Sequence, residues 1–229
     1  MKTSVHRRLT RPPGRPVTNP GHDARDLLLA AATDLFANRG VAATTFATIA
    51  HQAGLTPAML HYYFKDREQL LDAVVDERLA PLIASVWSPV SESDSPRDVI
   101  SGVVGRMLAG IEQMPWVPST WMREVLNEGG LLRSRVLRHL PFEKVHILSQ
   151  SLTKGQLSGE VNSDLDSGLI VFSLIGLVML HMATIHFWSE IFHRKAPTRE
   201  SLQRHITGLL LSGLQPAPAP RSIVKPAKK

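Results

Sequence analysis

Apolar residues recur at helical spacing along most of the chain, and strand-like alternation is missing throughout. Leu27, Leu28, Ala31 and Leu35 form a first stripe that stops at Asn38-Arg39-Gly40. Thr44-Thr45 then offers N-cap hydroxyls, and Phe46, Ile49, Ala50 and Ala53 follow at i, i+3, i+4 and i+7 before Gly54. Gly54-Leu55-Thr56 reads as a tight turn. Thr56-Pro57 reads as an N-cap followed by proline at the first helical position, where a missing N–H costs nothing. A third helix is therefore expected from 57 to about 64, with Leu60 and Phe64 as its inward pair. A fourth starts near Arg67 and carries Leu71, Val74, Val75 and Leu82, and Pro81 is expected to bend or interrupt it. Beyond a polar connection at 88–96, helical patterns resume at Val103, Val104, Met107, Leu108 and Ile111. Further ones are readable over 121–128, 131–152, 163–188 and 198–213. The fold class is all-α, an N-terminal three-helix helix-turn-helix head followed by a larger helical domain.

Charge changes this picture at the ends. The net charge is +6 over 229 residues, but Lys2, Arg7, Arg8, Arg11 and Arg15 precede any acidic residue, and Arg221, Lys225, Lys228 and Lys229 lie in a Pro-rich, acid-free tail. The body between them is mildly acidic. The expected organisation is a disordered basic arm at 1–21, the head at 22–71, a helical domain at 72–215 and a disordered basic tail at 216–229. Such arms add sequence-independent attraction to phosphate. The chain has no cysteine, which excludes disulfides, thiol catalysis and thiolate metal sites and fits a reducing cytoplasm. No apolar segment of signal-peptide type occurs at the N-terminus. Residues 169–188 carry no formal charge and approach a membrane-spanning length, but Ser173, Gly176, His181, Thr184 and His186 dilute them, so a buried helix is expected and no membrane partner.

Two short helices joined by a tight glycine-bearing turn are what the major groove accommodates, with residues near the second helix's N-terminus reaching base edges. Here those are Thr56, Pro57, Ala58, Met59, His61, Tyr62 and Tyr63. Tyr62 and Tyr63 are the only tyrosines in the chain, and phenol hydroxyls at this end of a helix suit phosphates. Lys65 and Arg67 extend the same edge, and Thr44 and Thr45 offer another phosphate contact at the start of the second helix. The alternative for any one of these residues is ordinary packing or exposure. Between Asp23 and Asp66 the head holds Arg25, Arg39 and Lys65 against Asp23, Asp26, Asp34 and Asp66, so bulk charge cannot hold it on DNA.

The run from Gly40 through Thr44-Thr45, Ile49-Ala50, Ala53-Gly54 and Thr56 to His61-Tyr62-Tyr63-Phe64-Lys65-Asp66-Arg67-Glu68-Gln69-Leu70-Leu71 resembles the N-terminal module of TetR-family transcriptional regulators. Arg67 stands where that pattern usually has lysine, and His61 where a tyrosine is common. The resemblance covers about 50 residues; beyond Val75 it is one of helix number and length. It implies a homodimeric repressor that reads a palindromic duplex operator and a helical domain whose small-molecule inducer controls head spacing.

Some of this has independent support. Leu202, Ile206, Leu209 and Leu210 form an apolar stripe on the last helix that, with the long apolar helix through Leu180, suggests a four-helix dimer seam; ordinary intrachain packing is the alternative. Met107, Trp116, Trp121, Met122, Met179, His181 and Met182 suit an apolar ligand pocket and are equally normal core. Arg11-Pro12-Pro13-Gly14-Arg15-Pro16 resembles the Gly-Arg-Pro core of an AT-hook, in which arginine lies in a narrow minor groove, and a phosphate-seeking arm explains the same residues. An architectural protein of AT-rich DNA is the second reading. An enzyme built on the central histidines is the third, but no nucleophile elbow, phosphate loop or metal-spaced cluster supports it; no cofactor and no metal are expected.

Overall fold

Helix α1 (Pro20–Arg39) opens the computed structural model, which describes residues 20–216, and begins just inside the segment expected to be arm. Arg11, Arg15 and the expected tail from 217 onward lie outside the described residues. Gly40 takes φ +84°, a left-handed turn that leads to α2 (Phe46–Gln52) and then α3 (Pro57–Tyr63). Leu28, Leu29, Leu35 and Phe36 of α1 meet Ile49 and Ala50 of α2 and Leu60 and Phe64 of α3 in one buried cluster. At about 1.5–3 kcal/mol for each buried large aliphatic or phenyl side chain, this is ample to seat two seven-residue helices that would not form alone.

Asp66 caps α4 (Arg67–Val74) by accepting from Gln69 N–H at 2.8 Å. A π-helical turn, Val75–Leu79, joins it to α5 (Ala80–Trp87). The interruption expected of Pro81 thus falls one turn upstream: proline has no N–H for the residue four back, and the wider turn gives its ring room. Helix α6 (Pro96–Gln113) is the centre of the larger unit. Its Val99, Ile100, Val103, Val104, Met107, Leu108 and Ile111 are buried, and α5, α9, α10 and α12 pack around it.

The remaining elements are α7 (Val117–Thr120), a second π-helical turn (Trp121–Val125), α8 (Arg133–Leu137), α9 (Phe142–Ser158), α10 (Ser167–Ala183), α11 (Ile185–Phe192) and α12 (Arg199–Gly213). Two expected long helices are therefore divided. The 131–152 pattern breaks at Leu140-Pro141, where proline cannot continue α8, and the 163–188 pattern bends by 62° at Thr184. Among the described residues no single helix is long and apolar enough to cross a membrane.

Ion pairs run along the junction of head and core. Arg78 meets Asp26 at 2.8 Å and Arg25 meets Glu77, and beside them the His139 ring is hydrogen-bonded to Asp76 at 2.8 Å. Arg135 bridges Glu68 and, at 2.7 Å, Asp72. Burial works against the Arg135 charge, but the hydrogen bonds to Glu68 and Asp72 outweigh it and hold its pKa above the ordinary arginine value. Being partly exposed, each pair is worth about 0–1 kcal/mol.

Candidate nucleic-acid interface and effector cavity

Helix α3 is fixed from below and open above. Leu60 and Phe64 are buried, whereas Thr56, Pro57, Ala58, His61, Tyr62 and Lys65 are exposed along one edge. The Thr56 side chain accepts from Met59 N–H at 3.3 Å, which caps the helix where its first residues would meet base edges. Tyr62 is 81% exposed, its ring edge-on to the half-buried Tyr63 at 5.1 Å; His61 rests against Phe46. Met59 is half-buried, so of the expected base-facing residues it and Tyr63 project least.

Two expected phosphate contacts are corrected by the geometry. The Thr44 side chain is buried, and its hydroxyl donates to Gly40 O at 2.8 Å. Thr45 is the exposed member of the pair and forms a capping box with Thr48, accepting from Thr48 N–H at 3.2 Å while Thr45 N–H donates to Thr48 Oγ1 at 3.0 Å. Arg67 turns inward: its guanidinium donates to Thr44 O at 2.8 Å and to Val41 O. Arg25 stacks over Phe64 at 5.0 Å besides pairing with Glu77. Among the described residues, the side chains of Lys65 and Arg39 enter no ion pair or hydrogen bond.

Behind the head lies a predominantly apolar cavity of about 50 Å³. It is walled by Leu79, Leu82, Ile83, Val86 and Trp87 from the α4–α5 arm, Met107 and Ile111 from α6, Val117 and Trp121, Leu140, and Ile175 and Met179 from α10. Three of the expected pocket residues, Met107, Trp121 and Met179, are brought together here. The other four are not. Met122 is exposed, Trp116 and Met182 pack half-buried against the core, and His181 lies in a separate recess with Trp188 and His205. The α4–α5 wall was missed because its residues read only as core stripe. A larger recess of about 720 Å³ mixes charged residues such as Arg97, Lys154 and Glu160 with Val161, Leu211 and Leu214; the lining of the smaller cavity, with no charged residue, favours it for an apolar ligand.

The expected seam residues also divide. Leu202 and Ile206 are buried within the chain, so they are unavailable to a partner, while Leu209 is exposed and Leu210 half-buried. The exposed apolar face instead runs along α10 and α11 through Leu169, Phe172, Leu180, Phe187 and Ile191, with Gly176 and Gly208 open to solvent beside it.

Residues 28–74 match the model of bacterial regulatory proteins, tetR family. The fatty acid metabolism regulator protein of Bacillus subtilis is 24% identical over 190 residues, covering 82% of this chain and 93% of that protein. The HTH-type transcriptional repressor KstR2 of Mycolicibacterium smegmatis is 27% identical over 146 residues, 64% of this chain and 71% of that one. A crystal structure of the transcriptional regulator FadR from Bacillus subtilis, in complex with stearoyl-CoA, superposes with a TM-score of 0.60 at 21% identity over 83% of this chain and 100% of that one. The matched head and the helical core behind it agree: over residues 28–74 the chain is similar to bacterial regulatory proteins of the tetR family, and over most of its length to named regulators.

Proposed function

We propose that this protein is a cytoplasmic homodimeric transcriptional repressor that leaves a palindromic operator when a compound with a long acyl chain enters the apolar cavity. The observation that carries the DNA-binding reading is α3 itself: a capped helix anchored by Leu60 and Phe64, with Thr56, Pro57, Ala58, His61 and Tyr62 free on one edge. Thr45 and Lys65 are assigned to flanking phosphates, and the arm bearing Arg11 and Arg15 to additional phosphate attraction. A single head makes few contacts, so two-fold pairing supplies the affinity. Leu169, Phe172, Leu180 and Leu209 are the residues proposed to meet a second copy, with Gly176 and Gly208 allowing close helix approach.

An acyl chain suits a cavity without a polar wall residue, and the similarity to a regulator crystallised with stearoyl-CoA favours the same class. At about 50 Å³ the cavity is too small for such a ligand as it stands, since ligand pockets run to roughly 300–1,000 Å³. Entry must part the α4–α5 arm from α6, and that parting is what would re-space the heads. Nuclease footprinting on the protein's own promoter region tests the reading. The expected result is a palindromic footprint with half-sites one helical turn or a multiple apart, lost on adding stearoyl-CoA. No sequence-specific protection would overturn the repressor reading; protection indifferent to acyl-CoA would overturn only the effector.

A further inference from the structure

Glu124 is a carboxylate only 6% exposed, on the π-helical turn Trp121–Val125 of the core. A carboxyl group buried to this extent is tolerated where hydrogen bonds replace its hydration. Its two oxygens accept from Val41 N–H at 2.8 Å and Leu131 N–H at 3.2 Å. The first of these crosses 83 residues of sequence to the α1–α2 turn of the head. The Val41 carbonyl is held from the opposite side by Arg67 of α4, so this one buried residue is gripped at both its donor and its acceptor.

The seat is shaped for this contact. A Cβ on Gly40 would come within 3.2 Å of Arg123 Cδ and 3.4 Å of Glu124 Oε1, and a Cβ on Gly130 within 2.1 Å of the Glu124 carbonyl oxygen. Glycine therefore lets the core turn approach the head at one end and lets the chain fold back under Glu124 at the other. On the same π-helical turn, Trp121 forms part of the cavity wall.

We propose that Glu124 is the positioning residue that fixes the DNA-reading head on the helical core, through the Gly40-Val41 turn, and that movement of Trp121 in the cavity wall reaches the head through it. It touches neither DNA nor effector and acts through Val41. The proposal rests on the repressor reading only for its consequence at the operator.

The absence of native cysteine allows paired spin labels to be placed at Gln52→Cys in the head and Leu157→Cys on α9, both exposed positions, in full-length protein diluted with unlabelled chains. One narrow intrachain distance is expected in the parent. Glu124→Ala should broaden that distribution at least twofold, and Glu124→Gln, which keeps one acceptor oxygen, should lie between them and decides the matter if the alanine variant does not fold. Trp121→Ala should shift the distance, whereas Trp188→Ala, outside the cavity wall, should not. In Glu124→Gln, amide exchange at Ile49 and Leu60 should accelerate about tenfold with Leu108 in α6 unchanged. Parent-like distances in the Glu124 variants, equal acceleration in head and core, or equal shifts from the two tryptophan variants would overturn the proposal.

Discussion

Replacing Arg67 with methionine separates two jobs that the residue's position allows. Methionine keeps an unbranched stem and good helix propensity, so the guanidinium alone is removed. That group makes two charge-assisted hydrogen bonds, to Thr44 O and Val41 O, neither shared with a carboxylate. At about 1.5–3 kcal/mol each, taken at the low end because the side chain is partly exposed, the loss is about 3 kcal/mol. For a chain of this size that lowers Tm by roughly 5–12 °C. A phosphate ligand would behave otherwise. Its removal would leave Tm in place and reduce the slope of log K against log salt by about 0.9 per head, or about 1.8 for a dimer. Calorimetry, together with operator titrations by fluorescence anisotropy at several salt concentrations well below Tm, measures both. The expected result for Arg67→Met is a lower Tm with an unchanged slope, and for Lys65→Met the converse. A reduced slope with parent-like Tm in Arg67→Met would refute the inward assignment.

Four further outcomes are expected. Gly130→Ala should destabilise the protein in urea by about 3 kcal/mol, because its Cβ would meet backbone, not a yielding side chain, at 2.1 Å. Thr45→Ala should cost about 1 kcal/mol through loss of the capping box, seen as faster amide exchange confined to α2. Phe172→Glu, at a position 76% exposed, should leave the melting curve of dilute protein near the parent's but halve the mass in sedimentation; a persistent dimer would place the seam elsewhere. The Glu200 carboxyl is held below the usual range first by its own backbone N–H, then by Thr198 and Arg199. A depressed folded pKa means that its contribution to the start of α12 is complete above the ordinary glutamate pKa and fades as pH falls through the depressed one. A titration of α12 amide shifts, abolished in Glu200→Gln, checks this.

Elements whose ends are set by neighbouring residues were legible in the sequence. Thr45, Thr56 and Asp66 each cap a helix through a bond to the residue three places on, and Pro57 and Gly40 act within one turn, so α2, α3 and α4 begin where the sequence places them. The breaks in the larger unit were less so. Hydrophobic spacing runs unbroken through Thr184, and the 62° bend there is a property of packing. Roles decided at long range were misread for the same reason. Thr44 and Arg67 sit at a DNA-proximal edge in sequence, yet the backbone carbonyls around the α1–α2 turn claim them. Leu202 and Ile206 share one stripe with Leu209, but α6 covers only part of it. Glu124 follows Arg123 and reads as an ordinary surface acid, and nothing in spacing identifies a partner 83 residues away.

The division of labour along α3 has a consequence for how such a regulator diverges. Leu60 and its cap residue Phe64 carry the attachment, while Pro57, Ala58, His61 and Tyr62 are exposed, the last two making only surface ring contacts with Phe46 and Tyr63. Changes at Ala58, His61 and Tyr62 would alter which bases are read at almost no cost to folding, since exposed substitutions of this kind usually move stability by less than about 0.5 kcal/mol. A duplicated copy would thus drift to a new operator by a few neutral steps, with its effector response carried along intact, because the residues proposed to read the DNA and those that hold the helix in place are different residues.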